Sequence, residues 1–147
     1  MKKNVFRLSV FAVVLLLIAA CKPAEVPTEP VFENAWIRAA PPGMKMTAGF
    51  GTIRNVTEQA IDIESFSSPS LGNISLHRTE SIGGVSRMKE MGVFSLAPGS
   101  SLVMEPGGYH LMIMMPGIRV IQGKPVTLEV HTSDGQTFSY EVPVERR

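Results

Sequence analysis

Pro106-Gly-Gly-Tyr-His-Leu-Met-Ile-Met-Met115 sets a histidine and a methionine two residues apart in a run with the composition of a β-strand. Successive strand side chains point to opposite faces, so His110, Met112 and Met114 share one face while Leu111, Ile113 and Met115 share the other. The second face suits a core and the first suits chemistry. An imidazole and a thioether on neighbouring same-face positions, about 7 Å apart along the backbone, are able to converge on one soft metal ion.

Short runs of β-type residues broken by Pro, Gly, Asn and Asp extend outward from this stretch, and none sustains a helical period. Before it lie 31–38, 46–54, 60–66, 71–80, 85–91, 94–96 and 101–104; after it lie 125–131 and 136–144. Ser133-Asp-Gly135 is the clearest hairpin turn, and Ser81-Ile-Gly-Gly84 joins a second hairpin. This spacing predicts an all-β domain, a β-sandwich of about eight or nine short strands rather than an α/β fold, with no internal repeat.

The first twenty residues are expected to stand outside that domain. Lys2, Lys3 and Arg7 precede the apolar run 8–20, which is the pattern of a signal peptide. Ile18-Ala19-Ala20-Cys21 resembles a bacterial lipobox, which implies cleavage before Cys21 and lipidation of that residue; an uncleaved helix and a plain secretory peptide are the competing readings. Residues 21–30, with three prolines, read as a lipidated cysteine and flexible linker, leaving 31–147 as one domain. Loss of the leader leaves 11 of the 14 basic residues against 13 acidic ones, so the mature chain carries about −2. With the remaining positive charges spread singly, no nucleic-acid partner is expected. Cys21 is the sole cysteine, which excludes a disulfide framework and thiol redox chemistry in the domain.

Histidine occurs three times and methionine nine times. Met91, Met104 and Met115 read as core filler and Trp36 as a core aromatic. Met88, in Ser86-Arg-Met-Lys-Glu90, keeps polar company instead. His77 shares a strand face with Ser75 and Thr79. If residues 81–84 form a four-residue loop, His77 stands directly across from Met88; a two-residue Gly-Gly turn puts Glu90 there instead. His131 has no methionine nearby in sequence and keeps an ordinary surface reading. Met44 and Met46, in the loop after Pro41-Pro42-Gly43, are more readily cover for the sheet end than ligands, and Met114 is the reserve ligand on the His110 face.

The series His77, ten residues, Met88, twenty-one residues, His110, one residue, Met112 resembles the PCuAC family of periplasmic copper chaperones, and all four motif positions match without a gap. Ala35-Trp-Ile-Arg-Ala-Ala-Pro-Pro-Gly43 and Pro106-Gly-Gly-Tyr-His-Leu-Met112 extend the likeness over the domain. Two departures stand out: Arg78 occupies a position where many members carry methionine, and the terminus Val142-Pro-Val-Glu-Arg-Arg147 lacks a His/Met-rich tail, which puts Cu(II) uptake in doubt. The resemblance implies a cupredoxin-like Greek-key sandwich and Cu(I) ligation by His77, Met88, His110 and Met112. It also implies an envelope lipoprotein facing the periplasm that delivers copper to the CuA centre of cytochrome c oxidase subunit II, with a Sco-type protein handling reduction.

Two imidazoles and two thioethers form a soft, neutral ligand set that favours Cu(I) over hard ions, and the set points to transfer of the ion rather than to an enzyme. A copper-storing lipoprotein, and a metal-free adhesion or assembly lipoprotein, are the alternatives.

Overall fold

The computed structural model describes residues 27–40, 43–114 and 120–147; the leader, Cys21 and Met115 lie outside them. The described residues contain no helix. Eleven strands follow in chain order: β1 Val31–Arg38, β2 Met46–Arg54, β3 Ile61–Ser67, β4 Ile74–Ile82, β5 Val85–Glu90, β6 Phe94–Leu96, β7 Ser101–Met104, β8 Tyr109–Met114, β9 Val126–Thr132, β10 Thr137–Val142 and β11 Val144–Glu145. Eleven strands exceed the expected eight or nine: the ten runs read from the sequence each hold a strand, and the last of them, 136–144, is cut in two. Pro143, which has no amide proton for a ladder, makes that cut.

The strands form one hydrogen-bonded network in the order β10-β9-β3-β4-β8-β7-β2-β1-β11, with β5 added to β4, β6 added to β3, and β8 also paired to β2. The break at Pro143 has an architectural use. β10 lies beside β9 at one end of this order, while β11 runs parallel to β1 at the other, with Ile37 opposite Val144. One nine-residue segment thereby ties the two ends together, giving a nearly closed, sandwich-like all-β fold of cupredoxin type.

Inside lie Ile37, Ile53, Ile63, Leu76, Leu96, Leu111, Ile113, Leu128 and Val130, each drawn from the inward-facing set of an alternating strand. Met104 joins this core and Met91 packs against it, as expected for filler. Trp36 does not. It is buried on the outer face, where it stacks on Phe50 at 4.7 Å beneath the Arg38 and Arg147 guanidiniums. A bulge between Glu33 and Trp36, with Asn34 at positive φ, produces this placement. Gly51 (φ 139°) faces the same bulge; a Cβ there would come within 2.8 Å of the Ala35 backbone, so only glycine fits.

Candidate metal centre

Strand β8 is flanked by β4 and β2, and its register brings the two sequence-predicted histidines side by side. His110 is directly opposite His77, Met112 opposite Ser75, and Leu111 opposite Leu76 on the core side. The imidazole rings are 6.0 Å apart between centroids and tilted by 35°. Both residues are buried, at 7% and 6% exposure. That burial is unusual for a polar pair and asks what satisfies the ring nitrogens.

Backbone chemistry settles half of the answer. His110 Nδ1 lies 3.1 Å from Gly108 O, and since a carbonyl only accepts, Nδ1–H is the donor. In the neutral ring the Nε2 lone pair is therefore free to bind a cation. His77 Nε2 is 2.9 Å from Ser75 Oγ. Its Nδ1 is buried without a hydrogen-bond partner, alone in that respect among the side-chain nitrogens and oxygens of the described residues. An orphaned buried nitrogen fits an electrophile better than it fits a finished core. Burial lowers the His77 pKa from its ordinary value of 6.5; the Glu90 carboxylate pulls it back up and the neighbouring His110 pushes it down.

The β4–β5 hairpin corrects the four-residue-loop register. Gly83 and Gly84 both have positive φ, 60° and 80°, and form a two-residue turn with Ile82 opposite Val85. Such a turn matches the strand twist better than a longer loop. Glu90 consequently stands across from His77, and Met88 across from Thr79. Met88 remains on the His77 face as a diagonal neighbour, about 7–8 Å away between backbones and within reach of a long side chain. It is 65% exposed on a hairpin whose β5 is exposed throughout.

Met112 is half-buried beside His110, whereas Met114, one step further along the same face, is exposed and pairs with Met46 of β2. Met46 thus stands closer to the site than a loop position suggested. His131 lies elsewhere, with Nε2 at 2.7 Å from Ser67 Oγ and Nδ1 at 2.9 Å from Thr137 Oγ1. Among the described residues no three His, Cys, Asp or Glu side chains gather as a metal cluster. Ser75 and Glu90, which surround His77, were not among the predicted site residues. The first is legible as the same-face residue two before His77, and the second only once the turn is known.

The family model described as "Putative lipoprotein LpqE-like" matches residues 31–144. A relative from Leifsonia xyli subsp. xyli, "Putative lipoprotein Lxx21020", is 32% identical over 113 residues, covering 76% of this chain and 67% of its own. Among solved structures, CuI-DR1885 from Deinococcus radiodurans superposes with a TM-score of 0.67 at 25% identity, over 84% of this chain and 83% of that one. The copper-bound PCuAC domain from PmoF2 gives 0.65 at 16% identity, over 86% and 100%. The chain belongs to the LpqE-like lipoprotein family and is built on the fold of the PCuAC domain.

Proposed function

We propose that this protein is an exported, lipid-anchored carrier of Cu(I), held to the cell envelope through Cys21 and facing the periplasm. The ion is cargo. His77, His110 and Met112 grip it on the outer face of β4 and β8, and Met88 closes the set from the β4–β5 hairpin. The observation that carries this reading is the buried histidine pair, with one ring nitrogen unpartnered and one lone pair left free by a backbone hydrogen bond. Support also comes from the copper-bound and CuI forms of proteins that share the fold.

The ligand types and their exposure suit transfer. Thioethers bind Cu(I) without the thiolate charge that would hold it tightly or the thiol that would oxidise in an exported protein. His77 and His110 form the rigid half of the site because both sit on paired strands. Met88, on the exposed hairpin, is the ligand an acceptor can displace first, which favours a carrier over a store. The proposed acceptor is the CuA centre of cytochrome c oxidase subunit II. Because the domain has no cysteine, reduction must come from a separate protein, a Sco-type one in this proposal.

Titration with Cu(I) under reducing conditions tests the reading. One tight equivalent is expected, lost in the His110→Ala, Met112→Ala double variant and transferable to a CuA domain. Unchanged tight binding in the double variant would overturn the ligand assignment, and retention of copper against the CuA domain would overturn the carrier role.

A further inference from the structure

The outer face that holds the two histidines continues along β8 and β2, and it ends in sulfur. Ala48 of β2 is opposite Met112, and Met46 is opposite Met114. Met114 gives its amide proton to Asn73 O at 2.8 Å, on the β4 side. Toward β2 it therefore forms the non-hydrogen-bonded kind of antiparallel pair, in which Cα atoms stand only about 4.5 Å apart and the side chains lie closest. Two thioethers are held next to each other by the backbone, and neither is buried: Met46 is 49% exposed and Met114 39%. Met44, two residues upstream, is as exposed as Met46. Met104, by contrast, is buried in the core, so the fold can sequester this residue type.

We propose that Met46 and Met114 form a second, sulfur-only site for a soft monovalent cation, Cu(I) or Ag(I), with Met44, two residues upstream of Met46, as a further thioether donor. Thioethers select soft ions and have little affinity for Zn²⁺, Mg²⁺ or Ca²⁺. Without an imidazole the site is the weaker of the two, and its exposure makes exchange with solvent-borne donors easy. Met112 is the next residue on the same face of β8, one strand repeat of about 7 Å away. An ion bound at Met46 and Met114 is thus one step from Met112 and two from the histidine pair, and the second site serves as the port of the first. The inference shares its metal with the proposed function but none of its principal ligands.

The test is a titration of the full chain, carrying ¹³C-labelled methionine methyls, with Ag(I), which needs no reductant. The expected first equivalent shifts the Met88 and Met112 methyls; the second shifts those of Met46 and Met114. Met46→Leu with Met114→Leu should abolish the second equivalent, since leucine keeps the apolar cover but offers no sulfur. Saturation at one equivalent, or a second equivalent that survives in the leucine variant, overturns the proposal. The His110→Ala, Met112→Ala variant separates the two claims. If the Met46 and Met114 shifts persist there while the tight equivalent is lost, both stand. If the tight equivalent also persists, the main ligand set is wrong while the leucine variant still decides the second site.

Discussion

His77 is the residue on which the site turns, because its burial makes it costly unless something binds it. Its pKa in the folded chain lies below the ordinary 6.5, so between the two values the unfolded chain holds more protons than the folded one. The metal-free protein is therefore at full stability above about pH 6.5 and loses stability as the pH falls through the lowered value. Melting curves from pH 8 to 5 should show a steeper acid decline for the wild type than for His77→Gln; equal slopes would mean that burial does not govern this ring. At neutral pH the same effect keeps the imidazole unprotonated and ready for a metal. Behind the rings, Leu111 is fully buried between the two faces. Leu111→Ala should cost about 2–5 kcal/mol by denaturant unfolding. The four ligand candidates were legible in sequence because histidine is scarce and because their spacing matches a family motif. The Ser75 hydrogen bond and the orphaned Nδ1 were not, since both depend on the His77 ring rotamer.

At the scale of elements, most strand limits were readable from alternation and breakers; β1, β2, β6 and β7 fall where the residues place them. Pairing register was not readable, because Ser81-Ile-Gly-Gly84 supports two loop lengths that move every partner by two residues. The structure chooses the tight turn through the positive φ of Gly83 and Gly84. Gly84→Val should therefore cost about 1–2 kcal/mol locally. It should also weaken copper binding by displacing Met88, while leaving the His77–His110 pairing intact. Chemical shifts of the two histidine rings, read beside the affinity, check this; an unchanged affinity with a disrupted turn would remove Met88 from the ligand set. Glu90→Gln, which preserves the turn, should leave the affinity nearly unchanged despite its position opposite His77. Trp36 shows a similar limit. Its size predicts burial, yet the bulge at Asn34 decides that it packs outward with Phe50 rather than into the main core.

For the whole molecule, the site exists only when distant parts of the chain pair, with β4, β5 and β8 brought together in a network that β10 and β11 tie end to end. A ligand that binds only this folded state must stabilise it, by about 2.7 kcal/mol at a free concentration a hundred times its dissociation constant. Scanning calorimetry with Cu(I) should show that rise for the wild type and little for the His110→Ala, Met112→Ala variant. Mass spectrometry of the mature N-terminus should find lipidated Cys21, and an unprocessed Met1 would contradict the anchor. The all-β class was legible because no stretch offers a helical period, whereas the tie at Pro143 was hidden in what reads as one strand. X-ray absorption on the chain loaded with one equivalent of Cu(I) reads out whether copper sits between two imidazoles and two thioethers. Two nitrogen and two sulfur neighbours are expected; nitrogen and oxygen neighbours alone, without sulfur, would rule this ligand set out.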